Sequence, residues 1–423
     1  MRLELGTIKI KDVQFGEETI IKDGTLYVNK KELIALARQD DRLSEADVEL
    51  ARPGEEVRII PVKDVIEPRV KVSGSGELFP GLVGKVETVG SGRTNVLRGA
   101  ALVTVGRIIG PQEGFIDMTG PGAQYSPFSQ TNNVVLVLHP IDGIDPHAYE
   151  EAMRLAGLRA AVYLGKACKD VTPDELEVYE LSPVTDTALP RVAYVHTLLS
   201  EGLLHDTYLY GVDAKKILPT LIHPNEVMDG AIVSGNCVSA CDKHTTYHHL
   251  NNPVIKELYR RHGKDLNFIG VITTNLSVTL ADKVRSTDYA SKLVKLIGAE
   301  GAIISEEGFG NPDTDLMMLC KKMEDYGIKT VLITDEYAGQ DGASQSLADA
   351  VPQADAVISV GNANEMITLP PMKRIIGDLK SAEVIAGGFV GSVTGGGGLS
   401  VEIQSIMGST CQLGFGRLTA RGY

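Results

Sequence analysis

Tryptophan is absent from the 423 residues, and no apolar run is long enough to cross a bilayer; the longest, such as residues 134–138, have the length of a strand. The opening MRLELGTIKIKD lacks both the apolar core of a signal peptide and an Arg-rich, acid-poor transit pattern, so a cytoplasmic protein is expected. Basic residues are outnumbered, 41 against 55 acidic, and the formal charge of −14 repels phosphate backbones and anionic lipid heads. No local basic patch compensates, so neither nucleic acid nor membrane is expected as a partner. Five scattered cysteines, Cys168, Cys237, Cys241, Cys320 and Cys411, are an odd number and argue against a disulfide framework. What is present, 43% hydrophobic and 23% charged residues with 45 glycines, is the composition of a soluble globular enzyme. The length exceeds one ordinary core, so two domains, or one large α/β domain with an extension, are expected.

Residues 1–130 read as a β-rich N-terminal domain. Alternating or β-branched runs at 3–10, 25–28, 56–62 and 101–109 are punctuated by Gly, Pro and Asp, with one helix predicted over 31–38. The loop SGSGELFPG at 73–81 has too little phosphate-loop character to count. From residue 131 onward the rhythm changes to apolar strands followed by amphipathic helices: VVLVLH, AAVYLG, VAYVHTL, GAIVSG, FIGVITTN, GAIISEE, KTVLITDE, DAVISVG and EVIAGGF. Helices are predicted over 146–155, 253–262, 282–296 and 311–326, the last with Asn311 as N-cap and Pro312 at its first position. GGGG at 395–398 reads as a hairpin turn. The expected fold class is therefore α/β: the β-rich domain, then a doubly wound, mostly parallel sheet with flanking helices over 131–423.

In such sheets ligands sit beyond the carboxyl ends of the strands. The residues there are polar: Thr273, Thr274 and Asn275; Glu306 and Glu307; Asp335 and Glu336; Gly361, Asn362 and Asn364; and Gly235, Asn236 and Cys237 after GAIVS. If all five runs are strands of one sheet, these sets share a crevice. Each set can instead cap a helix or solvate a loop. A divalent metal on Glu306, Asp313 and Asp315 is conceivable, although the twelve-residue calcium-loop spacing is missing.

CVSACDKHTTYHH brings Cys237, Cys241, His244, His248 and His249 close together. Three readings compete. Thiolates and imidazoles are zinc ligands, but the histidines follow the cysteines sooner than in the usual clusters. A plain buried cysteine is the bland alternative. In the third reading Gly235 permits a strained backbone from which the Cys237 thiol attacks the Asn236 carbonyl. β-Elimination and hydrolysis then leave a pyruvoyl group at position 237, with the chain cut after Asn236.

The stretches LLHDTYLYGVDAKKILPTLIHPNEVMDGAIVSGNCVSACDKHTTYHHLNNPVI, SEEGFGNPDTDL, LITDEYAGQDGASQSLADA and GNANEMITLP are long and unusual. Through them the chain resembles component B of the glycine, sarcosine and betaine reductases, in particular the proprotein of its pyruvoyl-forming alpha and beta subunits, over nearly its whole length. The resemblance implies that Cys237 becomes the pyruvoyl group and that the products are residues 1–236 and 237–423, with Cys241 as the rival cleavage point. It implies an oxidoreductase subunit that forms a Schiff base with the substrate amine, so that a selenocysteine on a partner subunit attacks the α-carbon, in a reductive deamination leading towards acetyl phosphate.

The implied partners are a selenoprotein subunit of component B, the selenoprotein component A and a small amine-bearing acid, within an oligomer. Substrate-binding candidates are Glu306, Glu307, Asp335, Asn362 and Asn275, and Lys243 or Asn251 could meet the substrate carboxylate. Betaine has a quaternary nitrogen that forms no imine, so in a betaine enzyme the pyruvoyl group would act differently, or cation recognition by residues such as Tyr247, Glu306 or Asp335 would matter more. A zinc-binding α/β protein and a non-catalytic scaffold subunit are the alternatives.

Overall fold

In the computed structural model, which describes residues 1–109, 114–235 and 244–414, the early β-branched runs form two four-stranded sheets with smaller ones beside them. One sheet orders Glu175–Glu180, Arg2–Lys9, Gly92–Arg98 and Arg69–Lys71; the other orders Leu43–Ala51, Asn132–Pro140, Ala100–Gly106 and Val62–Ile66. Ala100–Gly106 is buried along its whole length, as expected of a central strand covered on both faces. The first helix is Lys30–Ala37, because the Asn29 side chain accepts from the Lys31 and Glu32 N–H groups and sets its start.

VVLVLH lies in the second of these sheets, parallel to Ala100–Gly106 and antiparallel to Leu43–Ala51. The helix that follows runs over Pro146–Gly165, well past the expected 155. It absorbs AAVYLG, which is therefore no strand: Ala160, Ala161 and Leu164 recur at helical spacing on its buried face. A short apolar run reads the same in either state, and only the packing surface separates them.

The later strands make a six-stranded sheet in the order Thr220–Ile222, Asn267–Asn275, Arg191–Leu198, Gly301–Ser305, Lys329–Glu336 and Val357–Asn362. All neighbours are parallel except the edge strand Thr220–Ile222. Alternate residues face opposite cores. Tyr194, Leu198, Phe268 and Val271 pack with Ile255 and Leu258 of the helix Pro253–Arg261. Ala193, Val195, Ile272 and Ile304 pack with Ala290 and Val294 of Leu280–Leu296 and with Leu316 and Leu319 of Asn311–Asp325. The mixed α/β class with a doubly wound, mostly parallel sheet agrees with the sequence rhythm.

Three local expectations change. GAIVSG supplies the strand Ile232–Ser234, but this pairs antiparallel with Thr207–Leu209 in a separate small sheet. EVIAGGF follows the 3-10 turn Leu379–Glu383 as loop rather than strand. Gly310, with φ of 83°, caps the helix Asn311–Asp325 in place of Asn311, because its N–H is taken by Asp313 Oδ1 at 3.1 Å. GGGG lies in a turn, with Thr394 N–H donating to Gly398 O, that leads into Leu399–Glu402. Among the described residues no helix is long and apolar enough to cross a membrane.

Candidate active site at the rim of the parallel sheet

Gly301–Ser305 and Lys329–Glu336 run side by side, with Ser305 opposite Ile333, so their carboxyl ends deliver Glu306, Glu307 and Asp335 to one place. All three are fully buried. Glu307 is a junction: its Oε2 accepts from the Leu199 N–H at 2.9 Å and its Oε1 from the His244 N–H at 2.8 Å. One carboxylate thus ties the end of Arg191–Leu198 to the chain that follows residues 236–243. His244 Nε2 lies 3.2 Å from Gln412 Oε1, and Gln412 Nε2 donates to Asp335 Oδ1 at 2.7 Å and to Gly308 O at 3.2 Å. A continuous polar chain runs from Glu307 through His244 and Gln412 to Asp335.

Glu306 accepts from the Thr334 hydroxyl. Burial, and after it the neighbouring Asp313 charge, pushes its carboxyl well above the usual carboxylate range. The imidazoles move the other way. Burial lowers His196 and His248 to about 3, and burial with the neighbouring His196 and His248 carries His244 well below its ordinary value. These three rings are therefore neutral at physiological pH. His196 Nε2 meets His249 Nδ1 at 3.1 Å, His196 Nδ1 meets the Tyr194 hydroxyl at 3.0 Å, and that hydroxyl meets Ser305 Oγ at 2.6 Å.

His248 and His249 are carried by the short helix Thr246–Leu250, whose reciprocal cap joins Thr245 and His248. Asp64, from the second N-terminal sheet, accepts from Thr246 N at 2.9 Å and Thr246 Oγ1 at 2.6 Å, while Thr246 Oγ1 also accepts from Ser234 N at 3.0 Å. The helix is fastened from both sides before its rings are aimed.

Asn236, Cys237, Cys241 and Lys243 lie outside the described residues; their flanks do not. Gly235 donates its N–H to Asp206 O at 2.7 Å, and a Cβ placed on it would stand 2.3 Å from His205 O. Its φ is not in the left-handed region, so glycine is required here for space and not for a strained dihedral.

Of the sequence candidates, Glu306, Glu307 and Asp335 come together. Asn275 instead accepts from Ser286 Oγ at 2.8 Å and lines a surface cleft of about 440 Å³ with Ser200, Lys215 and Arg285. Asn362 braces a loop, accepting from Ala338 N at 3.0 Å and donating to Gly339 O at 2.8 Å. Asp313 reaches Glu306, but Asp315 pairs with Lys283, because residues two apart on a helix face different ways. The trio Glu306, Asp313 and Asp315 is not assembled. Asn251 joins Arg98 and Glu67, and Tyr247 packs edge-on against Phe128. Sequence reading missed His196, Tyr194 and Gln412. The first two had a signal, since VAYVHTL places polar-tipped rings two apart on one face of an otherwise apolar strand. Gln412 had none.

Buried acids beside neutral imidazoles, at the carboxyl rim of a doubly wound sheet, define the class as an α/β enzyme. The sequence profile of glycine/sarcosine/betaine reductase component B subunits matches residues 1–421, and the chain belongs to that family, as an oxidoreductase subunit. It is 59% identical to the glycine reductase complex component B subunits alpha and beta of Peptoclostridium acidaminophilum, over 100% of both chains. It is also 59% identical to the sarcosine reductase complex component B subunit alpha of that organism, again over 100% of both. Identity to its betaine reductase complex component B subunit alpha is 40%, over 96% of this chain and 95% of the relative. No solved structure matches the chain. The family expected from the motifs is the family found.

Proposed function

We propose that this chain is the proprotein of the pyruvoyl-bearing subunits of a glycine- or sarcosine-type reductase, cut between Asn236 and Cys237. One observation carries the reading: a relative matched from end to end by this whole chain is named for two subunits, alpha and beta. In the proposed maturation the Cys237 thiol adds to the Asn236 carbonyl carbon and exchanges the amide for a thioester. β-Elimination then releases Asn236 as a thiocarboxylate and leaves dehydroalanine at 237. Its imine form takes up water and loses ammonia to give the pyruvoyl carbonyl, and hydrolysis of the thiocarboxylate releases sulfide. The surroundings fit: Gly235 and His244 are anchored on either side, with buried neutral imidazoles and acids at hand.

The pyruvoyl group supplies an electrophile that condenses with the substrate amine as a Schiff base, so that nitrogen can leave when a partner's selenocysteine attacks the α-carbon. This chain's own residues exclude water and handle protons: burial raises Glu306 towards its protonated form, in which it can donate one. Identity favours glycine or sarcosine over betaine, 59% against 40%. Partners in this reading are a selenoprotein subunit of component B and the selenoprotein component A, in the cytoplasm. The intact mass of protein from a native host, taken under denaturing conditions, tests it. Two fragments of roughly 25 and 20 kDa, in proportion to residues 1–236 and 237–423, are expected, with Cys237→Ala left whole. A wild-type chain that remains single overturns the proposal.

A further inference from the structure

Among the described residues, one group of three side chains has its possible metal-binding atoms all within 4.8 Å of one another: His244, His249 and Glu307, each fully buried. We propose that these three side chains bind a divalent transition ion of the zinc type. Two imidazoles and a carboxylate are a ligand set that such ions favour.

The surrounding hydrogen bonds aim the right atoms. Gln412 Nε2 faces only acceptors, Asp335 Oδ1 and Gly308 O, which makes its other amide atom the oxygen that faces His244 Nε2. His244 therefore carries its proton on Nε2 and a lone pair on Nδ1. That Nδ1 is buried without a hydrogen-bond partner and points towards Glu307 Oε2, 3.9 Å away.

His249 is set by a second relay. Donation from His249 Nδ1 to His196 Nε2, from His196 Nδ1 to the Tyr194 hydroxyl and from Tyr194 to Ser305 satisfies every member and puts the His249 lone pair on Nε2; the reverse direction satisfies them too, and a bound ion selects the first. Glu307 is oriented by the N–H groups of Leu199 and His244. Such outer contacts are what fix tautomer and direction at metal sites. An ion with bonds of ~2.0–2.1 Å holds tetrahedral ligands roughly 3.3 Å apart, so atoms within 4.8 Å of one another need to close by up to about 1.5 Å, within reach of side-chain rotation. Three protein ligands leave the ion one position for water or a substrate oxygen, the arrangement of reactive rather than purely structural zinc.

All three ligands follow residue 237, so the site does not depend on whether the chain is cut, and the two proposals can fail separately. The full-length protein is dialysed against a chelator and titrated with Co²⁺, then with Zn²⁺, while intact mass is read on the same samples. One equivalent of Co²⁺ with the visible absorption of a four-coordinate ion, displaced by one equivalent of Zn²⁺, is expected. His249→Ala and Glu307→Gln should weaken binding more than ~100-fold, and Gln412→Ala ~10–100-fold through the freed His244 ring. His147→Ala, on the exposed side of its helix, should bind as wild type. Circular dichroism checks each variant's fold. Should the ligand variants not fold, a melting temperature of the wild-type protein that rises with Zn²⁺ and saturates at one equivalent supports the site. Absence of saturable one-to-one binding by the wild type, or unchanged binding in folded Glu307→Gln, overturns it.

Discussion

Glu67 and Glu306 are both fully buried glutamates, yet their surroundings drive them in opposite directions. Burial raises Glu67 as it would any carboxyl, but Arg98, 2.7 Å away, and Arg69 outweigh it, and the group is held below the usual range. Asn251 adds a donor at 3.3 Å. Around Glu306 the nearest charges are carboxylates, Asp313 and Asp335, which add to burial instead of opposing it. The first cluster is a fastening, charge matched by fixed opposite charge, and Asn251 ties it to the base of the histidine helix. The second brings carboxylates together, and its like charges push Glu306 up where the first cluster's arginines push Glu67 down, which is the condition of a proton-handling site.

The contrast can be broken most sharply at Glu67. Replacing it with Gln takes the buried carboxylate from Arg69 and Arg98, leaving Arg69 its Met228 carbonyl, and a loss of about 3–5 kcal/mol in urea unfolding is expected. A loss under ~1 kcal/mol would mean that the cluster fastens nothing. Gly235→Ala comes next. The new methyl meets the His205 carbonyl oxygen at 2.3 Å, so backbone has to move, and a cost of ~1–3 kcal/mol is expected by the same measurement. An unaffected variant would show that the flank of residues 236–243 yields easily.

The smallest effect is expected at Glu306→Gln at the acid end of the range, under ~1 kcal/mol near pH 4, where the carboxyl tends to carry its proton folded and unfolded alike and the amide resembles that acid. Its pH dependence carries the sign of the comparison. Glu306 binds its proton more tightly folded than unfolded, so its contribution is fully present below the ordinary value of 4.5 and is lost as pH rises towards the raised folded value. Glu67 is the reverse: its contribution is present above 4.5 and is lost as pH falls through the lowered folded value. Unfolding of the two Gln variants against wild type from pH 4 to 8 should therefore diverge, Glu306→Gln gaining relative to wild type as pH rises. Parallel curves would remove the distinction between the clusters.

Much of the fold was legible where a run was long or its neighbours were unambiguous. FIGVITTN, GAIIS and KTVLITDE lie in strands of the parallel sheet, and the acids after the last two meet. AAVYLG and EVIAGGF were not legible, because six or seven apolar residues suit a strand, a helix end or a buried loop equally. The Gly235 requirement was visible as a glycine, but its cause, a carbonyl from residue 205 pressed against it, is a long-range contact.

By itself the sequence determined the family, through four long motifs, and the alternation of strands and helices, through its hydrophobic period. Tertiary structure alone decided which polar residues meet. It moved Ile232–Ser234 out of the parallel sheet, sent Asn275 and Asn362 to other duties, and brought Gln412 across to His244. The physical reason is one of range. Period and propensity act over a few residues, whereas the groups that fix a proton's place come from other elements of the fold, Asp335 of the next strand beside Glu306 and Gln412, 168 residues on, beside His244.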